Sequence, residues 1–339
     1  MNIEKTLEAL CALPAVSGGE KAAHETVIKL LSEYTDNVKA DDFGNVIGYI
    51  GDEGKPTLLL DAHIDRIGMI VTYIDDDGFV KVGKMGIDMR TLLAQNVTIY
   101  GREKVKGVIS TLPPHVAEDR DKAPKLEDIA IDVGMTKEQA EKVISLGDLV
   151  VLEGFFSKLA GSRVCTPASD DRAGVVTILY ALDLLKNETN LPFRLAVQFS
   201  AQEEVGCRGA KVSAFNVDPD YAIAFDVSFA VSKGVPSDQA GKLGKGPMIG
   251  IAPTLDREMT EKLIKIAKEK EIPYQSEVMS RGTGTNADNI SLTKGGVRTG
   301  LISIPQRYMH TPCEVLDLED IKHTGELLAE YIKCGLEEK

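Results

Sequence analysis

Two adjacent carboxylates, Glu203 and Glu204, stand between an apolar run and a small-residue segment, in Ser200-Ala201-Gln202-Glu203-Glu204-Val205-Gly206. Residues 193–199 read as a buried strand, and Cys207-Arg208-Gly209-Ala210 opens a helix. In open α/β sheets, chemistry collects at strand ends. Neighbouring side chains on an extended backbone point to opposite sides, so one acid can face a metal while the other faces substrate or water. Taken alone, the pair reads more simply as a solvated strand-end pair.

Residues of the same kind recur. His63-Ile64-Asp65 closes the strand-like segment that begins at Pro56 and carries Leu58-Leu59-Leu60. Residues i and i+2 on a strand share a face. Asp65 could thus hold one nitrogen of the His63 ring, fix its tautomer and leave the other nitrogen for a metal; otherwise His63 is a hydrogen-bonded strand-end histidine. Asp170 and Asp171 open a helix, where carboxylates also serve as caps. Asp226 closes the apolar segment 221–227, where a turn residue would also fit. His310 follows the strand-like segment 297–304 in a loop. Singly, each has an ordinary explanation; together, they fall at one edge of one predicted sheet. Two histidines and three or four carboxylates suit two borderline-hard divalent ions. Such a pair activates water and polarises a carbonyl. A further carboxylate that is not a ligand would move the proton from water to a leaving amine, and a Glu beside a ligand Glu suits that role.

The elements that must position these groups alternate. Helices are expected at the N-terminus (Ile3, Leu7, Leu10 and Leu13 at helical spacing), at 20–34, 173–185, 255–268 and 318–333, the last with Asp317 as N-cap. Strands are expected at 46–50, 56–65, 193–199, 221–227 and 297–304, and the apolar run within 56–65, centred on Leu58-Leu59-Leu60, suggests a central strand buried on both faces. Between them, residues 69–163 hold short β-like segments at 69–74, 79–82, 97–100, 105–109 and 149–155, the hairpin signal Asp75-Asp76-Asp77-Gly78, and a helix opened by Thr136 and Gln139 in a capping-box pattern. The fold class expected is α/β: a mixed-sheet α/β/α catalytic domain carrying an inserted, mainly β domain. The divisions are 1–67 (catalytic, first part), 68–163 (insert) and 164–339 (catalytic, second part).

Composition narrows the function. The 339 residues are 43% hydrophobic and 27% charged, with a net charge of −13, so a nucleic-acid or anionic-membrane surface is disfavoured. No apolar run approaches the roughly 18 residues that span a bilayer. Five scattered cysteines without a CxxC fit a reducing, cytoplasmic setting and free thiols.

The ordered set Ala62-His63-Ile64-Asp65, Ser169-Asp170-Asp171-Arg172-Ala173-Gly174, Glu203-Glu204-Val205-Gly206, Phe225-Asp226 and Arg307-Tyr308-Met309-His310-Thr311-Pro312 resembles the tetrahedral (TET-type) dinuclear metallo-aminopeptidases, metallopeptidase family 42. Gly107-Val108-Ile109-Ser110 with Pro113-Pro114-His115 is similar to a signature of that family's insert. The resemblance covers nearly the whole chain and implies a zinc-exopeptidase-like fold. It implies that Asp170 bridges two ions, that His63 and Asp226 complete one shell and Glu204 and His310 the other, that Glu203 is general base and then acid, and that Asp65 orients His63. It further implies zinc or cobalt, with manganese permitted, and a bridging hydroxide. Its substrates would be short peptides with a free N-terminus, and its assembly a homo-oligomer built through the insert, from dimers to a dodecamer.

Two positions depart from the family pattern. Arg66 stands where an acid is usual and is expected to point away from the ions, and Asn286 stands where Asp is usual, a change expected to affect substrate preference. Cys165, Cys207 and Cys313 lie near proposed ligands in sequence and read as buried structural thiols. His24 and His323 read as surface residues, and His115 as a candidate for an active site across a subunit contact. Competing readings are a related co-catalytic zinc amidohydrolase (deacylase or carboxypeptidase), a metal-free endoglucanase and a non-catalytic assembly module. An insert placed between His63 and Asp170 favours the aminopeptidase.

Overall fold

The computed structural model describes residues 1–112, 115 and 123–335, so Pro113 and Pro114 of the insert signature lie outside the described residues. An eight-stranded mixed sheet runs in the order Val38–Ala40, Val46–Ile50, Arg194–Ser200, Thr57–His63, Tyr221–Phe229, Arg298–Gln306, Met248–Ile251, Gln275–Val278. The four strands from Arg194–Ser200 to Arg298–Gln306 are mutually parallel. Their carboxyl ends therefore open on one edge. Antiparallel partners flank this block on both sides.

The apolar run at Leu58, Leu59 and Leu60 is explained by helices on both faces. Leu58 and Leu60 pack into a core with Leu7, Leu10, Leu179 and Leu328. Leu59 faces the other way, against Ala210, Ala214, Ala287 and Ile290. All three leucines are fully buried, each contributing about 1.5–3 kcal/mol of transfer free energy. Helix Leu318–Cys334 starts at Asp317, whose carboxylate accepts from Glu319 N.

Strands Gly68–Ile74, Val80–Met85, Ile131–Asp132, Lys104–Ile109, Asn96–Tyr100 and Leu149–Leu152 close into a barrel with its own core. The hairpin at Asp75 forms as expected. Asp75 Oδ1 accepts from the backbone of Asp77 and Phe79, and Gly78 has φ +88 with Met135 O where a Cβ would sit. Thr136 and Gln139 cap each other's backbone at the start of helix Lys137–Val143. The β-like segment at 149–155 is shorter than expected: the strand stops at Leu152, and Phe155 is 80% exposed. No helix among the described residues is long and apolar enough to cross a membrane.

Candidate active site

All the chemical groups but Asp170 arrive on or just after strands of the parallel block. His63 is the last residue of its strand, and Asp226 lies near the end of Tyr221–Phe229. Glu203 and Glu204 follow the neighbouring strand through a turn in which Gln202 has φ +57. His310 follows Arg298–Gln306 at φ +62. Asp170 sits in the first turn of helix Ser169–Leu185, where it and Asp171 leave helical geometry and share a cis peptide bond. Positive φ at non-glycine residues collects around this edge, at Ala168, Gln202, Cys207, Tyr308 and His310. Such backbone persists only where surrounding contacts hold it, and it clusters at functional sites.

Asp170 stands at the centre. Its Oδ1 lies 3.2 Å from His63 Nε2, and its Oδ2 lies 3.3 Å from His310 Nε2. His310 Nε2 is also 3.2 Å from Glu204 Oε2. Two groups of donor atoms result, His63–Asp170–Asp226 and Asp170–Glu204–His310, each with all its atoms within 4.8 Å of one another. Glu203 belongs to neither; its Oε2 lies 3.9 Å from His63 Nε2. The proposed ligands His63, Asp170, Glu204, Asp226 and His310 are thus brought together, with Glu203 beside them. Backbone carbonyls define the tautomers. His63 Nδ1 donates to Asp65 O at 3.1 Å and His310 Nδ1 to Gly86 O at 2.9 Å, leaving each Nε2 to face Asp170.

Asp65 does more than its spacing suggests. The strand ends at His63, so Asp65 lies beyond it. Its carboxylate is 3.5 Å from the His63 ring, whereas it accepts from Ser17 Oγ at 2.6 Å, Glu203 N at 3.0 Å and Glu204 N at 3.3 Å. Asp65 therefore holds the His63 ring mainly through its carbonyl and holds the Glu203-Glu204 backbone through its side chain.

Burial pushes Glu204 and Asp226 well above the usual carboxylate range, and the nearby Asp170 carboxylate adds to it. Burial also acts upward on Asp170, but His310 and His63 outweigh it and bring it below its ordinary value. Burial opposes protonation of His63, yet Asp170 and Asp65 raise it well above the usual imidazole value. Four acids are packed here, and among the described residues no lysine or arginine forms an ion pair with Asp170, Glu203, Glu204 or Asp226. Glu204 Oε1 is buried without a hydrogen-bond partner. Uncompensated buried carboxylates are costly. Divalent cations would satisfy them, and the nitrogen–oxygen donor set fits such ions.

Sequence reasoning missed two supports. Glu314 is buried, accepts from Ser169 Oγ, Asp170 N and His310 N, and so braces both ligand-bearing segments; an acid beside the apolar pair Val315-Leu316 was its available signal. Gly86, from the barrel, has φ +74 and supplies the carbonyl under His310; a Cβ there would meet Ile67 Cγ2 at 2.4 Å and Glu204 Oε2 at 3.1 Å.

Arg66 is buried; burial lowers its guanidinium from the ordinary value, opposed by the carboxylate of Glu314. Asn286 is buried too, and it is not among the residues lining the cleft. Its amide donates to Asp61 Oδ2 and Ser200 Oγ, both at 2.8 Å. A buried carboxylate, Asp61, stands directly beside it, also accepting from Gln198 at 2.6 Å. Asn286→Asp should thus set two buried carboxyls against each other and cost about 1–3 kcal/mol. Burial already pushes Asp61 up to about 6, so the penalty should grow as pH rises above the unfolded value near 4. Thermal melts at pH 5 and 8 check this, and the double exchange Asp61→Asn/Asn286→Asp should recover most of the loss.

None of the three thiols near the ligands is buried as expected: Cys313 is exposed and Cys165 is half-buried. Cys207 is half-buried against Glu203. His115 is exposed. His24 and His323 are half-buried rather than surface residues, and His24 Nε2 meets Gly44 O at 2.9 Å. The cluster opens on a cleft of about 860 Å³, whose far wall includes Ser276, Glu277, Met279 and Thr283.

Two imidazoles and four acids gathered at one edge of a parallel block, with a barrel inserted after the first histidine, fit a metal-dependent hydrolase. The comparisons agree. A family model described as M42 glutamyl aminopeptidase matches residues 44–327. The lysyl aminopeptidase of Pyrococcus furiosus is 34% identical over 323 residues, spanning 93% of this chain and 92% of its own. An aminopeptidase from the archaeon Desulfurococcus kamchatkensis shares the fold with TM-score 0.92 and 38% identity, over 98% of this chain and 95% of its own. The TET1 peptidase of Pyrococcus horikoshii, which can assemble into a tetrahedron or a large octahedral shell, matches with TM-score 0.87 and 33% identity over 98% and 99%. The chain belongs to the M42 glutamyl aminopeptidase family.

Proposed function

We propose that this protein removes N-terminal residues from short peptides with two divalent ions per subunit, zinc or cobalt, with manganese also permitted by the donor set. The observation that carries the reading is the placement of Asp170, whose two oxygens face the two histidines. His63 and Asp226 would hold one ion, Glu204 and His310 the other, and Asp170 both. When bound, the ions would supply Lewis acidity toward a peptide carbonyl and lower the pKa of water. Glu203, within reach of the cluster but outside both donor groups, would take a proton on its carboxylate and pass it to the leaving amine. Asp65 would orient His63 and clamp the backbone of Glu203 and Glu204.

The chain divides into a catalytic domain at 1–67 and 164–339 and an insert at 68–163, with homo-oligomers forming through the insert from dimers to a dodecamer. The assemblies of the P. horikoshii relative support that reading. Five free cysteines support a cytoplasmic setting.

The test is a panel of aminoacyl-p-nitroanilides, free and N-acetylated, assayed after metal stripping and re-addition. Activity should vanish with chelation, return with zinc, cobalt or manganese, and require the free amine. Chelator-resistant turnover, or equal cleavage of N-acetylated substrates, would overturn the aminopeptidase reading.

A further inference from the structure

Glu203 is held at four points, and one of them is a thiol. Its backbone N–H donates to Asp65, and its carbonyl accepts from Gly206 N and Cys207 N, both at 2.9 Å. Its side chain makes one hydrogen bond among the described residues: Cys207 Sγ donates to Oε1 at 3.1 Å. The remaining oxygen, Oε2, is the one facing His63. Cys207 reaches this position because it adopts φ +53 at the start of helix Arg208–Val217, a backbone conformation L side chains seldom take. The turn is stiffened further by Arg208, which donates to Gln202 Oε1 at 2.8 Å.

We propose that Cys207 is a positioning residue: its S–H anchors one oxygen of Glu203 and so aims the other at the centre between the histidines. The idea rests on the assignment of Glu203 as proton carrier. A carboxylate on a side chain with three rotatable torsions loses rate when its reactive oxygen is misaimed, because a displacement near 1 Å can cost about 10²-fold. A thiol suits this post as a donor that stays protonated, and burial together with the Glu203 carboxylate pushes it above the ordinary thiol value. Cys207 also lines the cleft without belonging to either donor group.

The test compares Cys207→Ala, Cys207→Gly and Cys207→Ser in metal-reloaded protein, reading metal content, kcat and KM on the best aminoacyl-p-nitroanilide. Ala and Gly remove the donor, and Gly also relieves the positive φ, so one of them remains folded if backbone strain matters. Both should lose about tenfold in kcat with KM within about twofold and metal content unchanged. Ser, which keeps a donor, should recover most of the rate. Combined with Glu203→Gln, Cys207→Ala should cost nothing more, since it acts through Glu203. Full kcat in Cys207→Ala, or a loss in Ser equal to that in Ala, overturns the proposal. A fully active Glu203→Gln would instead remove the assignment of Glu203 itself, whereas a dead Glu203→Gln beside an active Cys207→Ala would remove only the role of the thiol.

Discussion

Glu203→Gln should retain the full metal complement and lose about 10²–10⁴-fold in kcat, the usual range for removing a positioned general acid–base. The substitution keeps size and hydrogen-bonding shape but abolishes proton uptake. Glu203 lies outside both donor groups, while its Oε2 is 3.9 Å from His63 Nε2. Its backbone contacts to Asp65, Gly206 and Cys207 are independent of the carboxylate, so the turn should survive. KM should change little, because the lost interaction belongs to the chemical step. Metal analysis and steady-state kinetics on one preparation decide it. Wild-type turnover would remove Glu203 from the mechanism, and loss of metal would move it into the ligand set.

Asp170→Asn should show the opposite pattern, losing metal first. One carboxylate faces both donor groups, so both ions should weaken together. Leaving charges in a buried site without their partner typically costs about 3–5 kcal/mol, equivalent to about 10²–10⁴ in affinity. Calorimetric titration with zinc and elemental analysis after dialysis check this; two ions retained at wild-type affinity would contradict the bridging position. The same electrostatics set the behaviour of chelated protein. Glu204 and Asp226 are raised by burial and by Asp170, and His310 reaches about 9 against burial through Asp170 and Glu204. Groups raised in the folded state favour folding at low pH, and that contribution fades as pH climbs through their folded values. Asp170 and Asp65 are shifted downward and oppose this trend, but Glu203 and Glu314 are raised along with Glu204 and Asp226. The melting temperature lost on chelation should therefore be larger at pH 8 than at pH 5, because protons partly replace cations in the acidic pH range.

The architecture of the parallel block was legible because it is written in local patterns. Leu58 to Leu60 form an unbroken apolar run, as a strand covered on both faces must. Thr136 with Gln139 and Asp317 marked helix starts through contacts spanning two or three residues. The short strands Arg163–Thr166 and Glu314–Asp317 were not legible. They pair with each other across the length of the catalytic part, and neither is long enough to show a period.

The candidate site divides in the same way. Residue type and position at strand and helix ends drew attention to His63, the Asp170-Asp171 and Glu203-Glu204 pairs, Asp226 and His310, because a charged or imidazole side chain there is a local anomaly, whereas the division of roles among them rested on the family resemblance. Which oxygen of Asp170 meets which histidine, the use of the Asp65 and Gly86 carbonyls to orient the rings, the bracing by Glu314 and the thiol beside Glu203 were decided only when the chain closed on itself. Most of these contacts join residues far apart in sequence. They are selected by packing and by the need to pair buried polar groups, a constraint that leaves no periodic trace along the chain.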